Sequence, residues 1–287
     1  MAITGYNAQN FLNATAGSLL MPSTYARWLA LFTTAPGDND SGAVEVSAGG
    51  YARVQVAGSL ATNATTSSSS AVLNFASVPS WIVAGMRIRD ATTPAALGTV
   101  TVLSTTGTTV TMSANASSTV GSGDTITFSA FSAASSQGPA TAVTNAIIAF
   151  AQATASWGTV VAFGLYDAVT SGNLWDWDWL GNDPWYPCTI TLASPGVITA
   201  IGITAGSTPN LANGASVAFT ARFGGNVPSS LTSETPFTVA GLSSDTFNVS
   251  TNTSVAGAAM VRQVTQQSIP INVTASFASG ALTLAVA

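Results

Sequence analysis

The stretch "GTVTVLSTTGTTVTMS", Gly98 to Ser113, sets two runs of alternating apolar and hydroxyl side chains on either side of Thr105-Thr106-Gly107. Successive side chains of a β-strand point to opposite faces, so each run reads as a strand with one buried face. The short link between them predicts a hairpin, with Gly107 supplying the positive φ that a tight turn needs. Runs of the same kind recur along the chain as "YARVQVAG", "DTITFSA", "SVAFTARF", "PFTVAG", "DTFNVST" and "ALTLAVA", each bounded by Gly, Ser, Pro or Asn. The fold class is therefore all-β. One short amphipathic helix is expected over Ala8–Leu20, marked by Phe11, Leu12, Leu19 and Leu20 and weakened by Asn13, Thr15 and Gly17.

Charged residues make up 6% of the 287 residues, against ~25% in ordinary soluble proteins. All six basic residues are arginines, and lysine and histidine are absent. A surface this poor in charge suits a protein with few free faces, one that lives in a crowded assembly. With a net charge of −5 and scattered arginines there is no basic patch to neutralise phosphates, so no nucleic-acid partner is expected. Without histidine the commonest general base and metal ligand are missing, and any catalysis would fall to carboxylates or hydroxyls. The single Cys188 forms no disulfide within the chain and no thiolate cluster for zinc, which fits folding in a cytosol. No cofactor or metal is expected.

The N-terminal "MAITGYNAQNFLNATAG" lacks the basic and apolar regions of a secretory leader. The longest apolar-leaning run, Ala142 to Val169, is interrupted by Thr144, Asn145, Gln152, Ser156 and Gly158. Buried strands account for it better than a membrane span, and no membrane partner is expected.

Composition divides the chain further. The segment 60–133 opens on "ATNATTSSSS" and closes on "FSAASSQGP", both flexible and Ser-rich, and reads as an inserted β-module. The segment 188–262, with its strand runs on either side of Gly or Asn turns, reads as a second. The two share a Gly-x-x-[IV] entry (Gly85 to Ile88, Gly214 to Val217) and a Gly/Ser-Asp-Thr-[IF] step (Gly123 to Ile126, Ser244 to Phe247). Duplication and the common grammar of turns both explain that echo. The host domain is then discontinuous and β-sandwich-like: residues 1–59, residues 134–187, and C-terminal strands in 263–287 that return to pair with the earlier ones. The inserts are expected to be small β-barrels or sandwiches, tolerated where loop ends lie close together at the surface.

Three host elements carry a resemblance. "Glu-Val-Ser…Gly-Tyr-Ala-Arg" (Glu45 to Arg53), "Trp-Gly-Thr-Val…Phe-Gly-Leu-Tyr-Asp-Ala" (Trp157 to Ala168) and "Gly-Ala-Leu-Thr-Leu" (Gly280 to Leu284) resemble a family of tailed-bacteriophage virion proteins labelled tail fibre or minor tail protein. The inserts are similar to small β-modules that decorate such proteins. The resemblance implies a non-enzymatic structural component of the virion, assembled in the host cytoplasm and placed in the tail, its fibres or as capsid decoration. Its expected partners are copies of itself, as a trimer or dimer, and other virion proteins.

The densest candidate site is "NLWDWDWLGNDPWYPC", Asn173 to Cys188. Alternation places Trp175, Trp177 and Trp179 on one strand face and Asp176 and Asp178 on the other. Exposed, the indoles, with Trp185 and Tyr186, would stack sugar rings, giving the alternative of a carbohydrate-binding adhesin with a host-surface glycan as partner. Buried, they are core or a subunit contact. Asp176 and Asp178 have a spacing that suits an inverting glycosidase pair, yet two carboxylates side by side on one strand do not flank a scissile bond. Asp183 with Asp176 and Asp178, or Asp38, Asn39, Asp40 and Glu45 in "PGDNDSGAVE", offer oxygen ligands without the closing pattern of a calcium loop; turn chemistry explains the second group. Arg87 and Arg89 beside Asp90 read as a surface ion pair.

Overall fold

The structure, a computed structural model, describes residues 2–3, 5–16, 18, 25–37, 40–134, 140–181, 183–200, 211–221, 225–232 and 235–286. The first segment contains β1 (Ala2–Ile3), α1 (Gly5–Thr15), β2 (Arg27–Thr34), β3 (Val44–Glu45) and β4 (Val54–Ala61). Next come β5 (Val72–Asn74), β6 (Arg87–Asp90), β7 (Val100–Thr105), β8 (Thr109–Met112) and β9 (Thr125–Ser129). They are followed by β10 (Ala140–Val143), β11 (Ile148–Gln152), β12 (Gly158–Val160), β13 (Ala162–Tyr166) and β14 (Leu174–Trp179). Then β15 (Tyr186–Ile190), β16 (Val197–Ala200), β17 (Ser216–Thr220), β18 (Phe237–Thr238), β19 (Ala240–Ser243), β20 (Thr246–Asn248) and β21 (Gly257–Val264) lead to β22 (Gln267–Ile269), β23 (Thr274–Phe277) and β24 (Thr283–Val286). The fold is all-β with one short helix.

The largest sheet has eleven strands in the order β1-β14-β13-β2-β4-β9-β6-β7-β8-β5, with β3 beside β2. Its centre is explained by sequence: "LALF" in β2 and "AFGLY" in β13 are apolar at every step, as strands covered on both faces must be. Leu29, Leu31, Phe163 and Leu165 feed the main core, while Ala30, Phe32, Ala162 and Tyr166 feed a second cluster on the opposite face. The link from β4 to β9 is continuous over Ala57–Ala61. The main core accordingly mixes Leu29 and Phe163 with Phe75, Ile88, Val110 and Phe128. A separate seven-stranded sheet, β18-β17-β21-β15-β16-β20-β19, encloses its own cluster around Ile198, Val217, Phe247 and Val261.

The predicted hairpin is β7–β8, with Thr105 opposite Val110. Gly107, however, is not among the residues with positive φ. The connection is wider than a two-residue turn and is held by the Thr106 hydroxyl, whose Oγ1 accepts from Thr109 N at 3.0 Å, while Thr106 N donates to the Thr109 carbonyl at 2.8 Å. The helix also differs from expectation. It runs from Gly5 to Thr15, earlier than Ala8–Leu20, and buries none of its residues; Phe11 and Leu12 are exposed, and Leu19 and Leu20 lie outside the described residues. Asn13 and Thr15, poor helix formers, fall where it ends.

The run 142–169 forms strands β10 to β13, and among the described residues no helix is long and apolar enough to cross a membrane. The C-terminal segment returns to strands earlier in the chain. β24, β23 and β22 pair in turn with β10, β11 and β12. Hydrogen bonds between the paired stretches, such as Thr144 N to Leu282 O and Trp157 N to Ile269 O, make them one long antiparallel ribbon, 140–160 against 267–286.

Candidate functional site

The candidate residues gather at two places, and at the first of them the family-like elements Glu45–Arg53 and Trp157–Ala168 meet. Glu45, on β3, and Arg53, just before β4, form a forked ion pair with Nη2–Oε2 at 2.7 Å and Nε–Oε1 at 2.9 Å. Arg53 Nη1 donates to the carbonyls of Ala168 and Ser171, at 3.0 and 2.6 Å, and its guanidinium covers the Tyr166 ring. Tyr51 donates its hydroxyl hydrogen to Glu45 and its oxygen accepts from Leu31 N. Tyr166 donates to the Asp40 carboxylate at 2.9 Å. Burial raises both tyrosines above their ordinary pKa, with Glu45 beside Tyr51 and Asp40 beside Tyr166 adding to it; burial also raises Asp40. These hydrogen bonds tie the 40–53 loop to the end of β13. Of the calcium candidates, Asp40 and Glu45 are thus committed to Tyr166 and Arg53, and Asp38 and Asn39 lie outside the described residues.

β14 is the second place. The register against β13 shifts at Trp175: Leu174 opposes Tyr166 and Asp176 opposes Leu165, leaving Trp175 as the extra residue of a bulge. A bulge interrupts alternation, so Trp175 leaves the row expected for it. Leu174 instead joins Trp177 and Trp179 in the second cluster. Trp175 is buried, meets Tyr6 edge-on, lies under the Arg27 guanidinium and donates Nε1 to Asp167. Trp179 is buried and edge-on to Trp177, which is half-buried. Trp185, half-buried, lies under Arg262, and Tyr186, also half-buried, packs on the core of the seven-stranded sheet.

The two aspartates have separate fates. Asp178 forms an ion pair with Arg262, Nη2–Oδ1 2.6 Å, and Arg262 also donates to the Trp179 carbonyl. Among the described residues Asp176 Oδ1 is buried without a hydrogen-bond partner, and burial, with the like charge of Asp178 adding to it, pushes its pKa up to about 7. Among the described residues no group of acidic, Cys or His side chains has metal-binding geometry. Cys188 is buried, and its thiol is pushed up to about 12 by that burial.

The Arg87/Arg89/Asp90 reading needs correcting. Asp90 is fully buried, and its Oδ1 accepts from Thr92 N and Thr93 N, both at 2.8 Å, so it closes a turn instead of pairing with arginine. What sequence reasoning missed most is the use of arginine. Arg27, Arg53 and Arg262 each lie over an aromatic ring distant in sequence. The signal available was six arginines with no lysine, since only the planar guanidinium both stacks and forks.

Beside Asp178 and Arg262 opens a cleft of about 790 Å³. Phe163, Phe277 and Leu282 give it apolar surface, and Thr265, Gln267 and Ser276 polar surface.

Residues 2–134 and 102–183 match the model of a family described as Podophage GP4 fiber I protein gp80. The chain belongs to this family. It is a phage tail-fibre-type protein, and the match takes in both the Glu45–Arg53 network and β14. Two of the motifs that carried the resemblance, Glu45–Arg53 and Trp157–Ala168, lie within the matched residues of this fibre family, and in this chain they hold strands together. No curated protein matches the chain.

Proposed function

We propose that the protein is a non-enzymatic structural component of a tailed-phage particle, displayed on its exterior as part of the tail fibre or minor tail, and associated with copies of itself and with other virion proteins. The observation that carries this reading is the Glu45–Arg53–Tyr166 network, in which family-like polar residues are spent on cross-linking the scaffold. The reading treats the chain as a discontinuous host domain with modules at 60–133 and 188–262. In favour of the latter is its own hydrophobic cluster; the former is joined to host strands through β4–β9. Purified virions analysed by quantitative mass spectrometry should contain the chain at a fixed copy number relative to the other tail proteins. Its absence from washed particles would overturn the reading.

A carbohydrate-binding adhesin is the alternative. It is favoured by the partial exposure of Trp177, Trp185 and Tyr186, rings that could meet a host-surface glycan. A glycan array with the wild type and Trp177→Ala separates the two. Binding lost in the variant supports the adhesin, and an array without signal removes it for the glycans tested. A glycosidase would release reducing sugar in a manner that Asp178→Asn abolishes; none is expected, because Asp178 is held by Arg262.

A further inference from the structure

The eleven-stranded sheet ends on β1, a strand of two residues that is followed at once by α1. Ala2 and Ile3 of β1 pair with Trp177 and Asp176 of β14. α1 has 11 residues and buries none of them, and its Phe11 and Leu12 are exposed. A helix of that length is marginal in water by itself, so α1 depends on the surface it rests against. That surface is β14, where Tyr6 meets the Trp175 ring edge-on with centroids 5.5 Å apart.

The seam between this N-terminal arm and β14 is poorly satisfied. Asp176 Oδ1 and Trp177 Nε1, on the two residues that pair with β1, are buried without a hydrogen-bond partner among the described residues. Asn10 Nδ2 is in the same state, and Asn10 stands one helical turn from Tyr6, on the side of α1 that meets β14. A polar atom buried without a partner favours any arrangement in which water reaches it. For Asp176 that preference depends on charge, because a neutral carboxyl tolerates burial far better than a carboxylate.

The groups around Asp176 are few. Burial disfavours its charged form most, and Asp178 adds to this although Arg262 is paired with Asp178; the chain's amino group and the Trp177 backbone N–H act the other way. From β13 the residue opposite is Leu165. Tyr6, Arg27 and Asp167 gather instead on Trp175, with Arg27 over the indole and Asp167 accepting from its Nε1. Asp176 is thus the group at the seam whose charge changes near neutral pH.

We propose that β1 and α1 form a proton-operated latch: the arm docks on β14 while Asp176 is neutral, and ionisation of Asp176 releases it and uncovers the outer edge of β14. Because α1 contributes no buried residue, the arm can leave without opening the hydrophobic clusters. The direction follows from linkage. The docked arm holds the proton more tightly than the released one, so docking is strongest below about pH 4, weakens by at most about tenfold per pH unit up to about pH 7, and then levels off.

The test is amide hydrogen exchange on the full chain from about pH 5 to about pH 9, corrected for the intrinsic rate, with the β7–β8 hairpin as internal reference. Protection of residues 5–15 should fall about tenfold or more between pH 5 and pH 8 and level off above about pH 7, while the hairpin keeps its protection. In Asp176→Asn, whose carboxamide stays neutral, the arm should keep its low-pH protection throughout. Arm protection in the wild type that does not change with pH overturns the latch, and so does a fall shared by the hairpin, which reports unfolding of the whole chain. A folded Asp176→Asn that retains the wild-type fall overturns the role of Asp176. Should that variant not fold, the wild type decides: a loss of protection that keeps growing through pH 9 without levelling off overturns the proposal.

Discussion

The guanidinium of Arg53 lies 3.5 Å from the centroid of the Tyr166 ring, joining the start of β4 to the end of β13. The same guanidinium forks onto Glu45 and reaches the carbonyls of Ala168 and Ser171, so a single side chain organises four parts of the sheet margin. Its side chain is nearly buried, with 7% of its surface accessible, which makes the pair sensitive to the loss of either partner. Replacing Arg53 with Ala should destabilise the fold by ~3–5 kcal/mol, the range for breaking a buried pair and stranding its partner. Arg53→Lys should recover little of it, since lysine neither forks nor stacks. Chemical denaturation of the two variants checks this; equal stability of Arg53→Lys and wild type would contradict it.

Asp176 gives a pH dependence with a definite sign. Its pKa is about 7 in the folded chain, against 3.8 for an ordinary solvated aspartate. The folded state therefore binds the proton more tightly than the unfolded one, and this group's contribution is fully present below about pH 4 and lost as pH rises through about 7. Thermal melts should fall between pH 5 and 8 more steeply in wild type than in Asp176→Asn, and the variant should melt higher at pH 8. Asp40, raised in the same direction, and Asp167, lowered, are common to both proteins, so the difference between the curves isolates Asp176.

Two glycines should behave oppositely. A Cβ on Gly164, in the middle of β13, would meet Leu174 Cδ1 at 2.7 Å and Phe32 Cε2 at 3.1 Å, and Gly164→Ala should cost ~1–3 kcal/mol by overpacking. Gly107, in the β7–β8 connection, has open space around its Cβ position and no positive φ, so Gly107→Ala should fall within about 0.5 kcal/mol of wild type. Had Gly107 supplied a left-handed turn, that substitution would be clearly destabilising.

The tryptophans of β14 should separate by depth. Trp179→Ala, which empties a buried site, should cost ~3–5 kcal/mol, while Trp177→Ala at the half-buried neighbour should cost less. Urea denaturation midpoints at constant slope measure both, and an equal loss would show that Trp177 is as enclosed as Trp179.

What could be read from the sequence was what depends on near neighbours. Alternation in "TVTVLS" and "TTVTMS" specified β7 and β8, and the unbroken apolar run of "AFGLY" specified a strand covered on both faces. The segmentation of the chain pointed to C-terminal strands that return to earlier ones, and β22, β23 and β24 pair with β12, β11 and β10. The rest depends on partners far along the chain. The bulge at Trp175 exists because of its register against β13, and alternation within β14 alone carries no trace of it. Arg262 reaches Asp178 from β21, and Asp90 folds back onto the next turn although two arginines precede it on the same strand. Residue type pointed to turns and charges at these sites, and only the fold decided which partner each one took.

A fibre-type structural component must be carried on the phage particle. Immunogold electron microscopy of intact virions, with an antibody raised against this chain, tests it most directly. Gold confined to the tail end or its fibres is the predicted result. Intact particles without gold, from a preparation in which the chain is found only in the soluble fraction of the lysate, would contradict it.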